Sequence, residues 1–76
     1  MNVRILNPKR ELYSGEAKSV FLPGDTGEFE LQDFHAPIIS LLKPGKVVID
    51  WETVIPIKKG LAKFDRNECM LLVEES

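Results

Sequence analysis

The sequence predicts an all-β fold, a flattened β-sandwich of about eight to ten short strands that uses residues 1–76 as a single domain. Turn-forming residues recur at short intervals, apolar and polar residues alternate between them with a period of two, and helical periodicity is poor. So many strands in one flat sheet would expose a wide apolar face, and we therefore expect the sheet to fold over on itself. The clear turn signals are Asn7-Pro8, Ser14-Gly15, Pro23 to Gly27, Pro44-Gly45 and Asp65-Arg66-Asn67.

The first half of the chain supplies three alternating segments. Val3 and Ile5 flank Arg4, and Phe29 and Leu31 flank Glu30. Between these two segments, Lys18 and Val20 alternate with Ser19 and Phe21. Pro23 to Glu28 lies between the second and third segments and is longer than a tight hairpin requires. Its glycines predict backbone with positive φ angles.

A second group of strands follows Pro37. Pro37 and the β-branched Ile38-Ile39 disfavour a helix, so Ile38–Leu42 is predicted to be extended. Lys43-Pro44-Gly45-Lys46 is typical of a type II turn, with Pro second and Gly third. This turn leads into a predicted strand Lys46–Trp51, in which Val47, Ile49 and Trp51 share one face.

The chain closes with three further predicted strands. Val54–Ile57 contains Pro56, which has no backbone N–H and so indicates an edge strand or a bulge. Leu61–Phe64 and Glu68–Val73 are predicted to pair as a hairpin around Asp65-Arg66-Asn67.

Composition and charge exclude several classes of function. The net charge is −2 and no basic stripe is present, which argues against binding to nucleic acid or to an acidic membrane surface. No apolar run approaches the roughly 20 residues that span a bilayer. A single cysteine cannot form an internal disulfide, which favours a reducing compartment.

Catalytic chemistry is nearly absent from the sequence. His35 and Cys69 are the only residues of their types, too few for a metal site of His and Cys ligands, and Cys69 falls in a strand where we expect a structural thiol. Gly24-Asp25-Thr26-Gly27 lacks the Lys-Ser/Thr and the helix of a phosphate loop. We therefore predict no catalytic residue, no metal and no cofactor, and expect the chain to work by contacting a partner.

Two segments are not explained by the scaffold alone. One is Pro23 to Glu28, which is either a wide hairpin or a docking loop. The other is Phe34 to Ile39, where His35 either fixes a bend through a backbone hydrogen bond or belongs to a docking surface. Loops on a rigid sandwich commonly carry binding residues.

These segments carry a family resemblance. Leu22 to Phe29, then His35-Ala36-Pro37-Ile38, then Lys43-Pro44-Gly45 resemble the epsilon subunit of F-type ATP synthase, which has Leu-Pro-Gly-x-x-Gly-x-Phe, His-Ala-Pro-Leu and Lys-Pro-Gly in this order. The opening Asn7 to Glu16 and the closing Gly60 to Val73 are similar to the corresponding family segments. The resemblance covers essentially the whole chain, and its specificity comes from the order and spacing of the pieces.

The resemblance implies a ten-stranded sandwich with a central-stalk role and no chemistry of its own. Such a subunit binds gamma, rests on the Arg-rich polar loops of the c-ring, is monomeric within the complex, and lies peripherally at the cytoplasmic face of the energy-coupling membrane. It would couple proton flow to ATP synthesis. By residue-level resemblance the c-ring-facing loop is Gly24, Asp25, Thr26, Gly27 and Glu28, and the gamma-facing residues are His35, Ile38 and Ser40.

The chain also departs from the family pattern. Glu30 stands where the family usually has Gly, Gln32-Asp33-Phe34 replaces a turn that ends in Pro-Gly, and Lys58-Lys59-Gly60 replaces Ser-Gly-Gly. Members usually continue into a C-terminal helical hairpin, which carries the nucleotide-binding and rotation-inhibiting functions that some of them show. The sequence stops at Ser76, where that hairpin would start, so we expect neither function.

An unrelated small all-β adapter or carrier domain is the alternative. A carrier of the lipoyl type needs an exposed lysine at a hairpin tip, flanked by Asp or Met. The candidate lysines are Lys43 and Lys46, which instead flank Pro44-Gly45.

Overall fold

All regular elements of the protein are β-strands, which confirms the predicted fold class and strand number. The computed structural model describes residues Met1–Ser76. It contains no helix long and apolar enough to cross a bilayer. The strands are β1 (Asn2–Leu6), β2 (Glu11–Glu16), β3 (Ser19–Leu22), β4 (Phe29–Gln32), β5 (Ile38–Leu42), β6 (Gly45–Ile49), β7 (Thr53–Asp65) and β8 (Glu68–Glu75).

One continuous hydrogen-bonded sheet folds over to make the two layers of the sandwich. Its strand order is β2-β1-β8-β7-β6-β3-β4, with β5 paired to β7 outside this path. The first part of β7, Thr53–Ile57, pairs with β6, whereas Gly60–Phe64 lies between β5 and β8. The register shifts between Ile57 and Lys59, and a bulge of this kind bends a strand. β7 therefore belongs to both layers.

A single apolar core lies between the layers. Sixteen buried residues form one cluster that takes Val20, Leu31 and Ile49 from one layer and Phe64 and Leu71 from the other. Burying such side chains stabilises the fold by about 1.5–3 kcal/mol each, and the side chains of each layer are buried only because the other layer covers them. The predicted folding-over of the sheet is confirmed.

The first and last strands are neighbours. β1 pairs with β8 in parallel, with Asn2 opposite Glu68 and Leu6 opposite Leu72. On its other side β1 pairs with β2 in an antiparallel hairpin. The β1–β2 hairpin is therefore joined to the remaining sheet only through β8.

The predicted strand Lys46–Trp51 is wrong at its C-terminal end. β6 ends at Ile49, and Asp50 and Trp51 have φ angles of 51° and 56°. Two successive left-handed residues make a type I′ turn, closed by the Glu52 N–H, which donates to the Ile49 carbonyl over 3.0 Å. Trp51 therefore leaves the face that Val47 and Ile49 share.

The type II turn predicted at Pro44-Gly45 is also wrong. Such a turn needs positive φ at the glycine, but Gly27 is the glycine with positive φ, and Gly45 is already the first residue of β6. Glycine is needed at position 45 because the backbone there lies close to the side chain of Pro23. A Cβ built there would lie 2.7 Å from Cβ of Pro23.

The predicted hairpin around Asp65-Arg66-Asn67 is confirmed, but its first strand, β7, is longer than predicted. Arg66 and Asn67 have φ angles of 52° and 59°, the values of a type I′ turn. The predicted segments Val54–Ile57 and Leu61–Phe64 are two parts of β7 rather than separate strands. Of the two alternatives predicted for Pro56, the bulge is correct and the edge strand is wrong, because β7 lies between β6 and β8 and its register shifts just after Pro56. The Pro56 carbonyl also accepts from the Ser76 N–H over 3.5 Å.

Candidate interaction surface

Four leucines form a row across the outer face of one layer. Leu41 of β5 lies opposite Leu61 of β7, Leu61 opposite Leu72 of β8, and Leu72 opposite Leu6 of β1. We call this set the leucine row. Leu41 is 61% exposed, whereas its neighbour Leu42 is 4% exposed and belongs to the core. Successive side chains of a strand point to opposite faces, so the row lies on the side of the sheet away from the core.

A groove follows the leucine row, and Gly60 pairs beneath it with the core residues Leu42 and Val73. Gly60 lies in the groove between Leu61 and Lys59. A Cβ at Gly60 would come within 2.8 Å of the Leu72 carbonyl oxygen and 2.9 Å of Val73 Cγ1. The rim is polar, since Lys59 Nζ lies 3.2 Å from Glu74 Oε2 and Asp25 reaches one end. An apolar strip with a polar rim is the anatomy of a protein-binding surface.

The predicted docking loop Gly24–Glu28 lies at one end of this row. The Asp25 N–H donates to the carbonyl of Leu41 over 2.8 Å, and Gly24 forms a bridge with Leu42. Gly24 permits a close approach, because a Cβ there would lie 2.5 Å from the Gly27 carbonyl oxygen. Positive φ was predicted for the glycines of this loop; the prediction is confirmed at Gly27, with a φ of 146°, and is wrong at Gly24.

The exposed part of that loop is polar. Asp25, Thr26, Gly27 and Glu28 are all exposed, whereas Pro23 and Gly24 are buried. The structure thus places an apolar row and an acidic, exposed loop side by side.

Ile38 begins β5 at the end away from the loop, His35 precedes it, and Ser40 is the middle residue of the strand. His35 is exposed, with Nδ1 2.7 Å from the Ala36 carbonyl oxygen and its ring edge-on to Phe64 at 6.0 Å. Ile38 is half-buried against the core, and the half-buried Ser40 donates from Oγ to the Leu41 carbonyl over 3.0 Å. Ile38 and Leu42 are four residues apart on an extended strand, about 14 Å. The structure therefore does not bring the loop and His35 together.

The most exposed side chains of β5 are ones that sequence reasoning did not select. Ile39 and Leu41 point outward, while Ile38, Ser40 and Leu42 point toward the core side. The run Ile38 to Leu42 is almost wholly apolar and does not reveal which alternate set faces the core. Pairing with β7 settles the question, because Ile38 lies opposite the buried Phe64.

The outer face of the second layer carries an aromatic pair. The rings of Trp51 and Phe21 are 5.5 Å apart, and Trp51 Nε1 donates to Glu30 Oε2 over 2.9 Å. Glu30 also accepts from Gln32 Nε2 over 3.3 Å. The unusual Glu30 noted in the sequence thus has a structural role, since it orients the indole.

Cys69 and Asp50 are two of the three titratable groups whose pKa departs from its ordinary value. Burial raises the pKa of the Cys69 thiol to about 11, which leaves little thiolate at neutral pH. Backbone N–H groups of Ser19 and Lys18 donate to Asp50 Oδ1 over 3.0 and 2.7 Å and lower the pKa of that carboxyl. No group of three or more His, Cys, Asp or Glu side chains is arranged to hold a metal ion.

An all-β sandwich with an exposed apolar row beside an acidic loop has the surface features typical of a small protein-binding module. The sequence matches the family model of the ATP synthase delta/epsilon chain β-sandwich domain over residues 1–76. The chain belongs to this family.

Curated relatives agree with this assignment. The ATP synthase epsilon chain of Campylobacter fetus is 38% identical over 80 residues, covering 97% of this chain and 60% of the relative. The chloroplastic epsilon chain of Phaeodactylum tricornutum is 40% identical over 78 residues, covering 99% and 59%. The chain thus spans about 60% of the length of these relatives.

Solved structures support the fold. A chain of the Tetrahymena thermophila mitochondrial ATP synthase central stalk and c-ring superposes with a TM-score of 0.83 at 15% identity, over 97% of this chain and 63% of that one. A chain of the Euglena gracilis mitochondrial ATP synthase gives 0.85 at 14% identity, over 96% and 49%.

Proposed function

We propose that this chain is a non-catalytic rotor subunit of the central stalk of an F-type ATP synthase, in which residues 1–76 act as one unit. It binds the gamma subunit and the c-ring and so couples proton flow to ATP synthesis. Family membership over the whole chain and epsilon chains among the curated relatives support this role. The subunit would be monomeric within the complex and peripheral, at the cytoplasmic face of the energy-coupling membrane.

The leucine row is the observation that carries the proposal. Leu41, Leu61 and Leu72 are exposed side by side on paired strands. A contiguous apolar strip is unfavourable in water and marks an interaction site. Covering it would add the hydrophobic free energy that a permanent complex requires.

The two ends of β5 suit two different partners. The exposed loop Gly24–Glu28 carries Asp25 and Glu28, which fit the basic polar loops that the family resemblance implies for the c-ring. Ile38 lies about 14 Å from Leu42 along the strand, His35 precedes it, and Ser40 lies at the middle of β5, about 7 Å from Leu42. We assign these three residues and the leucine row to gamma. The chain would then bridge the two.

Co-expression with the gamma subunit and c-ring of the same organism tests the role. We expect the chain to copurify with gamma in a defined ratio, without a covalent modification on any lysine. A mass increase on Lys43 or Lys46, with no retention of gamma, would favour a carrier domain instead.

Glu28→Lys tests the loop assignment. An exposed ion pair is worth about 0–1 kcal/mol, and several around a ring, partly desolvated by docking, reach a few kcal/mol. We expect the variant to fold normally but to weaken attachment of the catalytic head to the membrane sector, more at low salt than at high salt.

Glu52→Lys is the matched control, because Glu52 is also exposed but lies in the turn between β6 and β7. Equal assembly and equal proton-driven ATP synthesis in both variants would contradict the loop assignment.

A further inference from the structure

Phe34 is an aromatic side chain with no visible role in the fold. It follows β4 and is 83% exposed, more than any other large apolar residue that lies outside the core. No aromatic ring packs against it, whereas Trp51 packs on Phe21. The Phe34 ring therefore contributes almost nothing to the folding stability of the sandwich.

The backbone at Phe34 is unfavourable for a bulky residue. Its φ is 62°, in the left-handed region that Gly and Asn adopt most easily. A large exposed side chain in a conformation that suits glycine needs an explanation outside the isolated chain.

The surrounding turns hold Phe34 rigidly. Its N–H donates to Asn67 Oδ1 over 2.8 Å, and Asn67 is itself fixed in the β7–β8 turn, where its carbonyl accepts from the Asn2 N–H over 3.0 Å. On either side, the Asp33 carboxylate binds the amino group of Met1, and the His35 N–H donates to the Gln32 carbonyl over 3.1 Å. These contacts fix the backbone that carries the ring, so docking the ring would require little ordering of the main chain.

We propose that Phe34 is the aromatic anchor by which this end of the sandwich docks into an apolar pocket of the gamma subunit. This inference rests on the proposed stalk function and identifies the residue that makes the contact specific. Anchors of this kind are single aromatic side chains that carry a large share of the binding free energy.

Gamma is the partner because of where Phe34 lies. Phe34 adjoins His35 at the end of β5 away from the acidic loop Gly24–Glu28, which faces the ring in the proposed function. The outward-facing Ile39 continues the apolar surface from this end along β5 toward the leucine row.

The test measures the affinity of this full chain for the gamma subunit of its own ATP synthase, for example by biolayer interferometry on gamma held in its complex. Phe34→Asn removes the ring and keeps a residue that accepts positive φ, so unfolding stability should be equal or higher. We expect affinity to fall about 30-fold, which corresponds to about 2 kcal/mol. Phe34→Tyr keeps the ring and should stay within about threefold of the unmodified chain.

Trp51→Asn is the matched control. Trp51 is also aromatic, 65% exposed and left-handed, with a φ of 56°, but contacts within the chain account for its ring. It should lose less than about threefold in affinity for gamma.

The outcomes separate this inference from the proposed function. Selective loss in Phe34→Asn supports the anchor. Unchanged binding of Phe34→Asn, or an equal loss in Trp51→Asn, overturns the anchor and leaves the stalk function standing. Failure of the unmodified chain to bind gamma overturns both.

Discussion

Leu41 and Leu42 are adjacent residues on β5 whose truncation should have opposite consequences. Leu42 is 4% exposed, and removing a buried leucine side chain costs about 2–5 kcal/mol of folding free energy. In a domain of 76 residues that lowers the melting temperature by about 10 °C or more. Leu41 is 61% exposed, so Leu41→Ala should change stability by less than about 0.5 kcal/mol.

Partner binding should show the reverse. Leu→Ala removes three carbon groups, worth about 0.8 kcal/mol each when buried, and about three fifths of that area at Leu41 remains for a partner to cover. The expected loss is about 1.4 kcal/mol, or about tenfold in affinity for gamma.

Thermal unfolding followed by circular dichroism, together with a binding titration, checks both values on the same samples. Leu41→Ala binding within twofold of the unmodified chain would show that the leucine row is not the docking surface. Equal destabilisation by the two substitutions would show that the face assignment of β5 is wrong.

Three other expectations follow from single contacts. Asp50→Asn keeps a residue suited to positive φ but loses the charge that accepts two backbone N–H groups, so it should reduce stability at pH 7. Because the folded pKa of Asp50 lies below the usual 3.8, the difference from the unmodified chain in urea titrations should shrink as the pH falls below that value. The buried Cys69 thiol, with a pKa of about 11, should react with a thiol reagent at pH 8 only at the rate of unfolding, and a fast native reaction would contradict its burial. Gly45→Ala should cost about 1–3 kcal/mol, because its Cβ would collide with Pro23, and an unchanged melting temperature would show that the turn relaxes freely.

Local chemistry made part of the fold predictable from sequence. Asp65-Arg66-Asn67 between two apolar alternating segments indicated a hairpin, and Arg66 and Asn67 take the left-handed conformations of its turn. Pro37 and Ile38-Ile39 excluded a helix, because the backbone preferences of proline and of β-branched residues act in any fold. The order of the family motifs pointed to the correct sandwich.

What could not be predicted depends on pairing between distant residues. The length of β7 follows from its two sets of partners, which no local pattern encodes. Gly45 looked like a turn glycine because its contact with Pro23 is separated by more than twenty positions of sequence. For the candidate surface, the family motifs drew attention to Ile38 and Ser40, whereas the exposed residues of that strand are Ile39 and Leu41.

The parallel pairing of β1 with β8 has a consequence for the synthesis of the protein. During translation the β1–β2 hairpin emerges first, but its place in the sheet does not exist until Glu68 to Leu72 have been made. Contacts between such distant segments slow folding, because the intervening chain must be closed into a loop first. Until β8 is made, β1 lacks its neighbour on that side, and its core residues Val3 and Ile5 stay uncovered in the nascent chain.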